Sequence, residues 1–248
     1  MEAITEADVA AEVSDAWSEG RGGWIVTVNV DVLRQMTRDR ALARLVEEAT
    51  LVVADGMPIV WAARMAGEPL RERVTGASLV LTLTEAAAAV NRSVYLIGGD
   101  SGVPEAAGAA LATRYSGVRI SGTESPPFGF ENDEEQVEGI LERVTAARPD
   151  LVLVGLGFPK QERLIARLRP LVPRAWFLGC GAGIPMAAGQ FRRAPTLVQR
   201  VGAEWVYRLG LEPRRLANRY LIHDLPFALI LLSGAVKQRA ASRPAPIE

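Results

Sequence analysis

The feature that most constrains this chain is the alternation of short, uninterrupted apolar runs with segments of helical period. The runs are WIVTV at 24–28, LVVA at 51–54, VYLI at 94–97, VRIS at 118–121, LVLV at 151–154 and AWFLG at 175–179. Because apolar residues do not alternate with polar ones, such strands are covered on both faces. Strands of that kind separated by helices predict a parallel sheet between helical layers. Residues 31–48 place Leu33, Met36, Leu42, Leu45 and Val46 at near-helical spacing, which predicts one amphipathic helix. Further helices are expected near 58–66, 76–90, 103–115, 133–147 and 159–169, with Pro58, Pro104 and Pro159 near the starts, where proline is tolerated.

Beyond residue 191 no strand-like run follows. Leu197, Val198, Val201, Trp205 and Leu209 form an apolar stripe, Pro213 opens PRRLANRYL, and Leu225 to Val236 make a strongly apolar segment. The class is therefore α/β: a Rossmann-like, mostly parallel sheet of about six strands with helices on both faces over 1–191, and a helical C-terminal appendage over 192–248.

The 248 residues are 49% hydrophobic and 23% charged, the profile of an ordinary globular protein. Charge is unevenly spread: residues 192–248 hold ten Arg and Lys against four Asp and Glu, and residues 1–191 hold 18 against 25. A basic, apolar tail on an acidic body points to an anionic partner, a phospholipid surface or nucleic acid. The twelve residues 225–236 fall short of the roughly 18 to 20 needed to cross a bilayer, so no transmembrane span is expected. The acidic amino terminus lacks the pattern of a secretory signal, so the mature chain is expected to begin there. A lone cysteine, Cys180, and a lone histidine, His223, exclude an internal disulfide and the usual Cys/His zinc sites. A reducing compartment fits this cysteine usage.

Open parallel sheets bind ligands beyond the carboxyl ends of their strands. There the chain offers Thr27 and Asn29, then Asp55 in ADG, then three glycine turns: GGDSG at 98–102, GLGFPKQE at 155–162 and GCGAG at 179–183. Such turns let backbone N–H groups approach phosphate, and several together suit a nucleotide diphosphate; as tight turns they need no ligand at all. Neither G-x-G-x-x-G nor a P-loop occurs. Asp55 is placed either to cap the helix after it or to take a proton as general base. With no Asp-x-Asp, His pair or Cys pair, no metal site and no cofactor are expected. A diphosphate then falls to backbone donors and to Arg73, Lys160, Gln161, Arg214, Arg215 and Arg219.

The ordered blocks TVNVD (27–31), VVADGMPIVWAARMAGEPLRERVTGASLV (52–80), VYLIGG (94–99), SPPFGF (125–130), PDLVLVGLGFPKQE (149–162), FRRAP (191–195) and GAEWVYRLGLEPRRLANRYL (202–221) resemble the WecG/TagA/CpsF family of glycosyltransferases. The resemblance implies an inverting, metal-independent enzyme. Such an enzyme transfers a sugar (N-acetylmannosamine, its uronic acid or a hexose) from a UDP-sugar to an undecaprenyl-diphosphate-linked saccharide in cell-envelope polysaccharide synthesis. It implies Asp55 as general base, Thr27 and Asn29 lining its pocket, Arg73, Lys160 and Gln161 holding substrate groups, and Gly155 and Gly157 allowing close backbone approach. It also implies a tail that packs over the site at the inner face of the cytoplasmic membrane, with Arg214, Arg215 and Arg219 on diphosphate. No nucleic acid partner is expected; because the tail can dock on its own body or on a neighbour, a homo-oligomer stays open.

The chain departs from the family pattern twice. Gly181-Ala182-Gly183-Ile184-Pro185-Met186 carries no acid, and Ile222-His223-Asp224-Leu225-Pro226 replaces the usual Gly-Asn-Pro. Two rivals share the strand pattern: a nicotinamide-dependent oxidoreductase, which lacks its fingerprint glycines here, and a non-catalytic membrane-associated scaffold.

Overall fold

The computed structural model describes residues 1–191, 194, 195, 198, 202, 204–211 and 213–241. Six strands, β1 (Gly23–Val28), β2 (Leu51–Ala54), β3 (Ser93–Ile97), β4 (Arg119–Glu124), β5 (Leu151–Val154) and β6 (Trp176–Gly179), form one sheet in the order β2-β1-β6-β5-β3-β4. Every pairing is parallel, where the sequence predicts a mostly parallel sheet. Continuous apolarity is explained by two packed faces. Leu151 and Leu153 enter one core with Ile25, Leu96 and Leu178, and Val152 and Val154 enter the other with Val26, Ile97 and Phe177.

The first face is covered by α1 (Glu6–Ser18), α5 (Gly76–Ala89) and α6 (Val103–Arg114); the second by α2 (Val30–Arg38), α3 (Arg40–Glu47), α7 (Glu134–Ala147) and α8 (Lys160–Leu168). Helices α4 (Met57–Ala66) and α9 (Gly183–Ala187) leave β2 and β6 directly. Two local outcomes differ from the periodicity. The expected helix over 31–48 is two, because Asp39 adopts extended backbone and its carboxylate accepts the Ala41 N–H, capping a new start. The acidic amino-terminal segment, which carries no predicted element, is helix α1. Thr5 and Asp8 form a reciprocal capping box, and Val9, Val13, Ala16 and Trp17 are buried.

The tail is helical where it is described: α10 (Glu204–Leu211), α11 (Pro213–Ala217), a π-helical segment Asn218–Asp224 and α12 (Leu225–Ala241). Leu197 and Val201 of the expected stripe lie outside the described residues, and Trp205 is 39% exposed. α12 packs along α4, with Ala228 and Ala235 buried. Because the π-helical turns run straight into α12, Asn218–Ala241 makes 24 continuous helical residues. That helix is long and apolar enough to cross a bilayer by length and composition, unlike the twelve-residue run the sequence isolates, and 11% of its most apolar stretch is buried.

Candidate active site

Parallel strands bring their carboxyl ends to one edge, and the register decides which exits are neighbours. Val28 lies opposite Ala54, Val26 opposite Gly179, Val154 opposite Gly179, and Ile97 opposite Val154. The residues that follow, Asp55, Asn29, Cys180, Gly155 and Gly98, therefore stand along one rim in that strand order.

Asp55 extends the β1–β2 ladder through its N–H, which donates to the Val28 carbonyl at 2.8 Å. Its carboxylate does not cap the following helix: α4 has Gly56 as its N-cap and no side-chain cap. Instead Oδ2 accepts the Gly76 N–H at 3.3 Å, at the first turn of α5. The helix macrodipole favours a negative group there. Gly76 is what allows this approach, since a Cβ at that position would lie 3.0 Å from Cys180 Cα and 3.3 Å from Thr27 Oγ1. RVTG thus divides its work: Arg73 pairs with Glu204 of α10 at 2.9 Å, Thr75 caps α5 by accepting the Ser78 N–H, and Gly76 holds Asp55.

Thr27 and Asn29 flank Asp55 with committed groups. The buried Thr27 hydroxyl donates to the Gly179 carbonyl at 3.1 Å, and Asn29 Oδ1 accepts the Val32 N–H at 3.0 Å as the cap of α2. Gln161 is 6% exposed. Its Oε1 accepts the Gly157 and Gly181 N–H groups at 3.1 and 3.2 Å, and its Nε2 donates to Glu162 Oε1 at 2.8 Å, so it ties two glycine turns together. Gly155 is likewise required by packing: a Cβ there would stand 2.6 Å from the Gly181 carbonyl oxygen. Gly157 sits at φ +78°, a backbone region that favours glycine. Burial pushes the Cys180 thiol up to about 12, which keeps it protonated.

The cationic candidates are dispersed. Lys160 turns outward, ion-paired with Glu131 and 4.9 Å from the Phe128 ring centroid. Arg219 lies 3.5 Å from Asp31 and 3.4 Å from Asp224, in a cluster that includes Arg34. Burial raises the Asp224 carboxyl above its ordinary value. Arg214 is exposed and makes no ion pair among the described residues; the Arg215 side chain lies outside what is described. Among the described residues no group of three or more His, Cys, Asp or Glu side chains is arranged to hold a metal ion.

Glu204, Gly76 and Glu162 carry structural roles at this rim that sequence reasoning missed. For Glu162 a signal existed: it lies on the same helical stripe as the buried Ile165, inside PKQE. For Glu204 there was none, since its partner is 131 residues away.

The tail reaches the same rim. A Cβ at Gly202 would stand 2.8 Å from Met57 Cβ, on the helix that follows Asp55. Trp61 and Met65 of α4, Trp205 and Val206 of α10, and Ile222, Leu229 and Ile230 beyond them are all exposed.

A model of the glycosyl transferase WecG/TagA/CpsF family matches residues 1–241. Curated relatives from Staphylococcus aureus strains NCTC 8325 / PS 47, COL and MSSA476 are each 30% identical to this chain over 215 residues, 87% of this chain and 81% of theirs. Each is named N-acetylglucosaminyldiphosphoundecaprenol N-acetyl-beta-D-mannosaminyltransferase.

Proposed function

Because the chain belongs to the WecG/TagA/CpsF family and is a glycosyltransferase, we propose that it moves N-acetylmannosamine, or a close relative, from a UDP-sugar to undecaprenyl-diphosphate-linked N-acetylglucosamine. The observation that carries the reading is the placement of Asp55: one carboxylate at the shared rim of β1 and β2, oriented by the amino terminus of α5. A carboxylate so held takes the proton of the acceptor hydroxyl as that oxygen attacks the anomeric carbon. Attack from the face opposite UDP inverts the anomeric centre.

The departing UDP is neutralised by arginines and backbone N–H groups, without a divalent cation. Arg73 serves by exchanging the Glu204 carboxylate for phosphate; Arg214, Arg215 and Arg219 serve from the tail. The organisation follows the sequence division, 1–191 binding the nucleotide sugar and 192–248 closing over it. The exposed apolar residues of α10, the π-helical segment and α12 seat the enzyme peripherally on the inner face of the membrane, where a polyprenyl acceptor resides.

The test is transfer from UDP-N-acetylmannosamine to a synthetic lipid-diphosphate-N-acetylglucosamine, read by mass spectrometry with and without chelator. A β-linked disaccharide formed at the same rate in both arms is the expected result. Product formed only with added metal removes the cation-free mechanism, and no product with any UDP-sugar removes the reading. Stabilisation by NAD and not by UDP in a thermal-shift screen would favour an oxidoreductase instead.

A further inference from the structure

Glu162 breaks the rule that buried carboxylates are paired or fully hydrogen-bonded. It is 1% exposed, its Oε1 accepts one hydrogen bond from Gln161, and its Oε2 is buried with no partner among the described residues. Desolvation pushes its carboxyl up to about 7, and Cys180 feels its charge. Gly179 is shaped around the pair: a Cβ there would stand 2.6 Å from Gln161 Nε2 and 3.0 Å from Glu162 Oε1. An amide at 162 would fill the same space without the cost of burying a charge, so the fold alone does not account for an acid here.

The chemistry of the contact supplies a reason. Gln161 has two orientations, and one of them lets Oε1 accept both the Gly157 and the Gly181 N–H. The flipped amide aims its own NH2 at those two donors and opens the tie. Ionised, as it is above its raised value of about 7, the Glu162 carboxylate only accepts, so it faces Nε2 and never Oε1; protonated, its O–H can face Oε1 and the selection is lost. We infer that Glu162 is a positioning residue for donor binding, selecting the Gln161 orientation that joins the β5 turn to the β6 turn beside Asp55. The inference rests on the nucleotide-sugar reading above. A glutamine at 162 donates as well as accepts, so it removes the share of the selection that Glu162 adds to the two backbone N–H groups.

The experiment compares the full-length chain with Glu162→Gln at about pH 8.5, where the Glu162 carboxyl is ionised. Four readouts are taken: thermal unfolding, the Gly157 and Gly181 backbone amide resonances, KM for the UDP-sugar, and kcat. The variant is expected to unfold no earlier than the parent and to shift both glycine resonances. Its donor KM is expected to rise about tenfold with kcat within about threefold, the signature of weakened binding of donor and transition state alike. Because Glu162 acts through Gln161, adding Glu162→Gln to Gln161→Ala produces no further loss.

Unchanged glycine resonances with unchanged KM overturn the inference, as do additive effects in the double variant. A lower unfolding temperature with activity lost in proportion to the folded fraction assigns Glu162 to stability alone and overturns it too. A parent enzyme that transfers no sugar defeats the functional reading, and the glycine resonances then decide the positioning role by themselves.

Discussion

Arg73 and Glu204, 131 residues apart in the chain, meet at 2.9 Å with each side chain 15% exposed. The pair joins the turn that directs the Gly76 N–H onto Asp55 to the first residue of α10, so the rim and the tail share one electrostatic clasp. Glu204→Gln leaves the mostly buried guanidinium without its counter-charge. The expected cost is on the order of 2 kcal/mol, between the values for exposed and fully buried pairs. Limited proteolysis should cut the tail sooner, and titration calorimetry should find UDP bound more tightly, since phosphate no longer competes with a carboxylate for Arg73.

Asp55→Asn keeps an oxygen to accept the Gly76 N–H while removing the proton acceptor. Turnover should fall roughly a hundredfold or more, with UDP affinity and melting temperature close to the parent's. Steady-state kinetics beside calorimetry separates these; full turnover in the variant would remove Asp55 from the chemistry.

Glu162 makes stability pH-dependent in a direction opposite to that of a salt-bridged acid. Its folded carboxyl is raised from 4.5 to about 7, so between those values the folded chain holds a proton that the unfolded chain releases. Stability therefore declines as pH rises through that window and levels off above it. Glu162→Gln removes the slope: relative to the parent it should gain on the order of 3 kcal/mol between about pH 4.5 and pH 8. Denaturant unfolding of both proteins at the two pH values measures this gain.

Replacing Ile222, Leu229 and Ile230 together with serine alters residues that are 64%, 60% and 66% exposed, so the melting temperature should hold. Sedimentation with anionic vesicles should weaken at least tenfold, since each buried aliphatic side chain is worth about 1.5 kcal/mol or more. Unchanged sedimentation would contradict the membrane role of the tail.

All six runs are strands in the structure; the inner ones were legible because a strand buried on both faces has to be apolar throughout, whereas edge strand β4, RISGTE, is polar and only partly buried. The division of 31–48 into two helices turned on one side chain, Asp39, whose cap competes with helix continuation more strongly than periodicity indicates. At the rim, residue types near the strand ends were legible and their orientations were not. Asp55 accepts the first N–H of α5 and leaves its own helix uncapped, Gln161 ties two turns together, and Lys160 turns to Glu131. Each of these outcomes depends on a partner brought near by strand order.

By itself the sequence determined the layered α/β architecture, the candidate residues that follow the strands and the basic, apolar character of the tail, because periodicity, glycine placement and charge are local properties of a chain. Tertiary structure alone decided that β6 and β5 insert between β1 and β3, that Gly76 meets Asp55, that Arg73 meets Glu204, and that Glu162 is sealed from water. Those outcomes follow from crossover connections and packing between segments far apart in the chain, where directional hydrogen bonds and desolvation act only once the backbone has closed around them.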